Sequence, residues 1–258
     1  MSGMQEIGVT SVLDGSIEPS LFHLPPGTDR VPLLVGLHTW SFDRFNQVER
    51  MLPEVQARGW ALLLPEFRGA NLVGNPRAPQ ACASELAMQD VVDAVESVLE
   101  KHADRLDPDC VLLAGGSGGG HMALMMAGYR PKLWRTVSAW VPITDVALWH
   151  GQNPGYAKHI EACCGGTPDR ALAECAARSP MSYLDEIARA NVRIHHGKWD
   201  PSVPFIQSLS FYNALSERHP DANVFLDIFD GGHELRHGEA FVELERALGV
   251  QASSGLTG

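Results

Sequence analysis

Short apolar runs alternate with longer stretches of helical periodicity along most of the chain, and this alternation limits the possible folds more than any other feature. Such alternation is typical of a mostly parallel β-sheet that is covered by helices on both faces. The apolar runs are residues 31–37, 60–64, 110–114, 136–141, 192–195 and 224–229. The helical patterns are residues 45–58, 84–101, 118–129, 203–218 and 239–248. The sequence therefore predicts an α/β fold.

The two ends of the chain and one internal segment depart from this alternation. Residues 7–13 and 16–24 alternate between polar and apolar side chains, which predicts an antiparallel hairpin at the edge of the sheet. Residues 144–190 contain several short helical patterns, and a long insertion at the carboxyl edge of an α/β sheet usually covers the site. We interpret 144–190 as a helical cap within a single domain of residues 1–258, and 251–258 as a flexible tail.

Charge and composition exclude several classes of function. The 258 residues include 20 Lys+Arg and 31 Asp+Glu, for a formal net charge of -11, whereas nucleic-acid binding needs a clustered positive surface. We find no secretory leader and no apolar run of the roughly 18 residues that a membrane span requires. The 5 cysteines are odd in number and sparse, which favours a reducing compartment. We therefore expect a cytoplasmic protein without a membrane span.

The strongest local motif is a G-x-S-x-G pattern formed by Gly115, Ser117 and Gly119, directly after the apolar run 110–114. A serine nucleophile on a strained strand-to-helix turn needs glycine two positions away on each side, because the backbones pack closely there. The helix that follows would aim the Gly118 amide at the oxyanion of a tetrahedral intermediate. A phosphate-binding loop is the alternative, but the lysine of G-x-x-x-x-G-K-[ST] is missing.

A serine nucleophile of this type is followed along the chain by an acid and then by a histidine. Asp200 comes just after the run 192–195 and just before a helical pattern, a position that suits the acid. His233 lies in a glycine-flanked loop after the run 224–229. We expect His233 to take the proton of Ser117 and Asp200 to orient the imidazole.

Other acids and histidines have weaker claims to these roles. Asp145 follows the run 136–141 and is a rival acid. Asp200 itself precedes a proline, and a lone Asp in that position is commonly a turn or helix-cap residue. His237 is expected to be a solvated residue of a first helical turn, and His195 and His196 to be packed on a strand. No histidine and carboxylate set has zinc-ligand spacing such as H-E-x-x-H, so we expect neither a metal nor another cofactor.

The second oxyanion donor is expected from the loop after the run 31–37. The backbone amides of Thr39 and Trp40 are both candidates, and the sequence leaves the choice between them open. Trp149 and Tyr156, from the expected cap, are candidate substrate-binding residues, although aromatic side chains are often simply packed in a core.

Taken together, the motifs resemble the catalytic domain of the prolyl oligopeptidase branch of the α/β-hydrolase superfamily, over about residues 20–250. The matching motifs are 36–38, 65–69, 115–119, 178–180, 196–204 with Asp200, and 232–233. The resemblance implies a sheet of about eight strands and a triad of Ser117, Asp200 and His233. Two departures stand out: the chain has no room for the N-terminal propeller, and His38-Thr39-Trp40 replaces the usual glycine-rich oxyanion loop.

Similar domains without a propeller are more often esterases, and an alkoxide leaves more easily than an amine. Our main interpretation is a carboxylic-ester hydrolase that acts on small-molecule esters through a Ser117 acyl-enzyme. The alternative is a peptidase or aminopeptidase acting on short peptides. An aminopeptidase needs a carboxylate to hold the substrate ammonium; Glu66 and Glu161 could serve, but nothing in the sequence singles them out. A non-catalytic binding module is a third possibility, but all three members of the triad are present.

Overall fold

One sheet of eight strands organises the computed structural model, which describes residues 3–249. The predicted tail, 251–258, lies outside the described residues. The strands are β1 (Gln5–Thr10), β2 (Ile17–His23), β3 (Val31–Leu37), β4 (Ala61–Pro65), β5 (Leu106–Gly116), β6 (Thr136–Trp140), β7 (Val192–Gly197) and β8 (Val224–Phe229). Their order across the sheet is β1-β2-β4-β3-β5-β6-β7-β8.

The sheet is parallel from β4 through β8 and antiparallel at one edge. β1 pairs with β2 in the register Gln5↔Phe22, and β2 pairs with β4. The remaining neighbours are parallel, with Gly36↔Ala114 in the β3–β5 pair and Gly115↔Ala139 in the β5–β6 pair. The predicted α/β-hydrolase fold class, including the antiparallel hairpin at the edge, is therefore confirmed.

Helices cover both faces of the sheet. They are α1 (Val48–Arg58), α2 (Glu85–Lys101), α3 (Gly118–Tyr129), α4 (Val146–Gln152), α5 (Ala157–Cys164), α6 (Leu172–Ala177), α7 (Leu184–Ile187), α8 (Ile206–Arg218) and α9 (His237–Ala247). Helix α2 begins where the Ser84 side chain accepts a hydrogen bond from the Ala87 amide. Helix α1 ends at Gly59, whose left-handed φ of 67° suits glycine. The patterns predicted from 45 and 203 begin three residues later, because turns occupy their first residues.

Alternating side chains of the central strands fill two separate cores. Leu33 and Val35 of β3 point to the face that α2 and α3 cover, whereas Leu34 points to the face that α1 and α9 cover. Helix α3 is buried along nearly its whole length, from Gly118 to Gly128. The first turn of this helix is therefore held rigidly at the carboxyl edge of the sheet.

The segment between β6 and β7 contains helices α4 to α7 and packs on a third cluster of buried side chains. Trp40 from the loop after β3 and Trp149 and Ile160 from this segment belong to that cluster. Four of the cluster's side chains are cysteines, and they are free thiols: Cys82, Cys163, Cys164 and Cys175. The insertion is thus anchored to the same loop from which the second oxyanion donor is expected.

Candidate active site

Ser117 lies on a sharp turn between β5 and α3. Its φ of 57° and ψ of -120° place a non-glycine residue in a conformation that side chains rarely adopt. The Ser117 amide donates to the Trp140 carbonyl at 2.8 Å, and its carbonyl accepts from the His121 amide at 2.8 Å. These two bonds fix the backbone at the carboxyl edge of the sheet, where Ser117 lines a cleft.

The glycines around Ser117 are required by close backbone contacts. A Cβ on Gly115 would overlap the backbone of Gly119, and a Cβ on Gly119 would lie 2.6 Å from the carbonyl oxygen of Leu37. A Cβ on Gly118 would overlap the backbone of Trp40. The G-x-S-x-G pattern therefore has a steric cause here, because three backbone segments meet beside the serine.

His233 and Asp200 form a hydrogen-bonded pair at the same edge. His233 Nδ1 lies 2.7 Å from Asp200 Oδ2, while Asp200 Oδ1 accepts from the amides of Ser202 at 2.8 Å and Val203 at 2.9 Å. Burial alone would raise the pKa of Asp200, but hydrogen bonds from His196, His233 and Val203 outweigh it and hold that pKa well below its ordinary value. The ionised carboxylate accepts a hydrogen bond from Nδ1–H, which leaves Nε2 as the basic atom.

Backbone contacts tie the loop that carries Asp200 to the loop that carries His233. The Lys198 amide donates to the Phe229 carbonyl, and the Trp199 amide donates to the Gly231 carbonyl, each at 2.9 Å. Gly197 packs so closely on Gly231 and its neighbour that a Cβ there would collide with their carbonyl oxygens. The acid and the histidine are therefore positioned together as one unit.

A cleft of about 220 Å³ opens over Ser117 and His233. It is lined by Thr39, Trp40, Ser41, Phe42, Gln47, Gly116, Ser117, Val141, Tyr156, His233 and Leu235. Among residues 3–249, no hydrogen bond joins Ser117 Oγ to the His233 ring. Such contacts are often long in unliganded enzymes and tighten when the substrate binds.

The loop after β3 lies against the first residue of α3. The Thr39 amide donates to Asn46 Oδ1 at 3.1 Å, so it is already used. Within the described residues the Trp40 amide donates to no protein acceptor, and the Trp40 backbone packs directly on Gly118. The Gly118 amide opens α3, where helix geometry provides no acceptor and the helix dipole favours negative charge. The Gly118 and Trp40 backbones thus lie side by side, and neither amide has a protein acceptor in the part of the chain that the structure describes.

The two aromatic residues expected at the substrate occupy different positions. Tyr156 lines the cleft. Trp149 does not: it is buried, its ring centroid is 4.9 Å from that of Trp40, and its Nε1 donates to the Ser202 carbonyl at 2.9 Å. Trp149 therefore supports Trp40 and the loop of Asp200 from behind the cleft, with its buried indole N–H hydrogen-bonded to that loop.

Neither carboxylate considered for holding a substrate ammonium faces the cleft. Glu66 is buried and pairs with Arg44, with 2.8 Å between Oε2 and Nη1. Glu161 pairs with Lys158 at 2.8 Å and with His150 at 3.1 Å. In the described part of the chain, the residues that line the cleft include no aspartate or glutamate.

The other acid and the three histidines that the sequence offered for the triad have structural partners. Asp145 caps α4 by accepting from the Leu148 amide at 2.9 Å. His195 stacks on Trp140 and lies 2.9 Å from Glu243, and the fully buried His196 lies 2.8 Å from the Val203 carbonyl. His237 is half-buried beside Gln47 rather than solvated, and burial lowers its pKa. Over residues 3–249, no group of three or more His, Cys, Asp or Glu side chains is arranged to hold a metal.

Residues 47–248 match the sequence model of the prolyl oligopeptidase family, which is 202 of the 258 residues. The chain belongs to the prolyl oligopeptidase family. Its sequence is 27% identical over 216 residues to the human acylamino-acid-releasing enzyme, covering 78% of this chain and 28% of that enzyme. It is also 24% identical over 165 residues to the Bacillus subtilis protein named uncharacterized peptidase YtmA, covering 63% of this chain and 61% of that protein.

Comparison with solved structures concerns the fold. The Pyrococcus horikoshii acylaminoacyl peptidase superposes with a TM-score of 0.74 at 16% identity, over 97% of this chain and 41% of that one. At this identity the likeness shows the fold alone. The chain spans less than a third of the length of the human relative and under half of this structure. Within residues 3–249, no helix is both long enough and apolar enough to cross a membrane.

Proposed function

We propose that this member of the prolyl oligopeptidase family is a serine peptidase that cleaves short peptides with an uncharged amino end. One observation carries the proposal: His233 Nδ1 is 2.7 Å from Asp200 Oδ2, and His233 shares the cleft with Ser117. The proposed catalytic residues are Ser117, Asp200 and His233, with the amides of Gly118 and Trp40 as the oxyanion site.

In the first half of the reaction, Ser117 Oγ attacks the substrate carbonyl carbon while His233 Nε2 takes the hydroxyl proton. The ionised Asp200 stabilises the resulting imidazolium through Nδ1–H. The carbonyl oxygen becomes negatively charged and accepts hydrogen bonds from the Gly118 and Trp40 amides. His233 then donates its proton to the leaving amine, the C–N bond breaks, and an acyl-enzyme remains on Ser117.

In the second half, water replaces the departed amine. His233 Nε2 takes a proton from the water as its oxygen attacks the acyl carbon, and the same two amides stabilise the second oxyanion. Collapse of this intermediate breaks the bond to Ser117 Oγ, which regains its proton from His233. The products are a carboxylic acid and the free enzyme.

The walls of the cleft support the proposed substrate class. Its side chains are apolar, aromatic or uncharged apart from His233, and within the described residues no carboxylate is available to pair with an ammonium group. A blocked amino end, such as an N-acyl group, avoids this cost. The names of the human relative and of the Pyrococcus structure are in line with such substrates. We assign 144–190 as a cap that contributes Tyr156 to the wall.

Peptide cleavage takes precedence over our first interpretation, ester hydrolysis. The matching family is named for an oligopeptidase, the human relative is named for releasing acylamino acids, and the Bacillus subtilis relative is named a peptidase. These names favour the alternative that the sequence analysis left open. Simple esters remain expected substrates in vitro, because the same acyl-enzyme forms and the leaving group departs more easily.

Three matched substrates test the proposal: N-acetyl-alanine p-nitroanilide, alanine p-nitroanilide and the p-nitrophenyl ester of N-acetyl-alanine, with Ser117→Ala as the blank. We expect Ser117-dependent cleavage of the acetylated anilide, with kcat/KM about 10- to 100-fold above that of the free amine, since an unpaired charge is costly in the cleft. Cleavage of the ester alone would establish an esterase instead. Preference for the free amine would contradict the proposed substrate class.

A further inference from the structure

The loop that presents the Trp40 amide contains no glycine, and neighbouring groups hold it from several directions. The Thr39 amide donates to Asn46 Oδ1 at 3.1 Å, and the Thr39 carbonyl lies 3.0 Å from His38 Nδ1. The Trp40 carbonyl accepts from the Asn71 amide at 2.8 Å. Every polar backbone group of Thr39 and Trp40 has a partner among the described residues, except the Trp40 amide.

The Asn46 side chain decides which of the two amides is left for the substrate. Thr39 and Trp40 are consecutive, both line the cleft, and both carry an N–H that an oxyanion would accept. Because Asn46 Oδ1 accepts from the Thr39 amide, that amide is occupied, and among the described residues only the Trp40 amide stays free for the substrate. We propose that Asn46 is the positioning residue of the oxyanion site, acting through the Thr39 amide without touching the substrate.

A second layer of hydrogen bonds holds Asn46 itself. Gln47 Nε2 donates to Asn46 Oδ1 at 3.2 Å, so this oxygen accepts from two donors. Gln47 Oε1 lies 3.3 Å from His237 Nε2, and His237 opens the helix that follows His233. Gln47 is itself buried and lines the cleft. The oxyanion loop is thereby connected to the segment that carries the base, and its geometry is fixed before any substrate arrives.

The inference rests on the proposed function only in requiring acyl transfer through Ser117, so it is tested with whichever ester or anilide the wild type cleaves. Asn46→Leu removes the acceptor at similar size, Asn46→Ala removes it without risk of a clash, and Asn46→Asp retains it. Asn213→Leu, on the exposed side of α8, is the matched control. We expect kcat to fall about 10- to 100-fold in the first two variants, less than the loss for removing an oxyanion donor outright.

The substrate KM is expected to stay within about twofold of the wild-type value in both variants, because the substrate carbonyl carries little charge before attack. Asn46→Asp is expected to recover most of kcat, and Asn213→Leu to match the wild type. Retained kcat in both Asn46→Leu and Asn46→Ala would overturn the inference.

An inhibitor pair separates positioning from general damage to the site. A peptidyl trifluoromethyl ketone forms a hemiketal oxyanion with Ser117, whereas the corresponding alcohol binds without one. We expect Asn46→Leu and Asn46→Ala to weaken the ketone in proportion to the loss of kcat/KM and to leave the alcohol unchanged. Equal weakening of both inhibitors would mean that Asn46 only supports the fold. Unchanged turnover in Ser117→Ala would refute the proposed function itself, whatever the Asn46 variants do.

Discussion

The two sides of Ser117 position their functional groups in opposite ways. On the side of β7 and β8 the proposed catalytic groups are side chains, Asp200 and His233, and backbone hydrogen bonds between their loops hold them. On the side of β3 the proposed oxyanion donor is a backbone amide, and the Asn46 side chain holds its loop. Side chains that act directly can therefore be predicted from residue type. A backbone amide cannot, because every residue except proline has one.

The two sides of Ser117 should also respond differently to substitution. A backbone-held side chain can be removed without moving its loop, so its contribution to turnover is directly measurable. A side-chain-held amide cannot be deleted by ordinary substitution, and it is reached only by displacing the loop or by removing its support. Substitutions on the two sides should accordingly differ in size and in which kinetic constant they change.

The largest effect is expected on the side of Asp200. Asp200→Asn should lower kcat by about 10⁴-fold, because the amide cannot hold His233 in the productive tautomer. Asp145→Asn is the matched control, since Asn also caps a helix well and Asp145 only caps α4. Steady-state kinetics on the two variants check this; a comparable loss in Asp145→Asn would transfer the acid role to that residue.

An intermediate effect is expected on the oxyanion side. A Cβ on Gly118 would overlap the Trp40 backbone, so Gly118→Ala should push the loop away and cost about 10²- to 10³-fold in kcat. Gly151→Ala, in α4, meets no atom within 4 Å and should be neutral. Steady-state kinetics measure kcat of both variants, and thermal unfolding checks that each of them folds. Near-wild-type kcat in Gly118→Ala would show that the amide of Trp40 is dispensable.

Most of the fold, and the side chains proposed for catalysis, could be predicted from the sequence. The strand and helix patterns predicted the α/β sheet because apolar periodicity directly reports burial. The G-x-S-x-G pattern reported a steric requirement that the contacts of Gly115 and Gly119 explain. The sequence also predicted that Asp200 and His233 would meet, because each follows a parallel strand and such strands end at one edge.

The sequence did not predict how backbone amides and side chains are oriented within the loops around the site. The sequence left Thr39 and Trp40 open because both are ordinary residues, and the acceptor that distinguishes them, Asn46, fell inside a segment predicted to be helical. Trp149 was only a candidate for the pocket wall, because an aromatic residue in a cap fits either a pocket or a core. Its position was decided by the partner of its indole N–H, the Ser202 carbonyl, which no pattern reveals.

The smallest effect is expected at His121, whose ring centroid lies 6.0 Å from that of Trp40, and it concerns stability. This residue is fully buried, lies 2.6 Å from the Arg178 carbonyl through Nε2, and burial lowers its pKa to about 4. The unfolded chain takes up this proton near pH 6.5 and the folded one only near pH 4, so stability falls as the pH drops between these values.

The pH dependence of unfolding isolates this contribution. His121→Gln keeps a donor for the Arg178 carbonyl but does not titrate, so its free energy of unfolding should fall by about 3 kcal/mol less than that of the wild type between pH 7 and pH 4. Urea unfolding at both pH values measures the difference. Parallel losses in the two proteins would show that His121 is not the group responsible.

The most direct test of the central claim is covalent labelling of the serine. A fluorophosphonate transfers its phosphonyl group to a serine that a neighbouring histidine activates, with release of fluoride. We predict one label per chain, located by mass spectrometry on the peptide that contains Ser117, with the labelling rate greatly reduced in His233→Ala. A label on another residue, or an unchanged rate in His233→Ala, would contradict the account of a Ser117 nucleophile activated by His233.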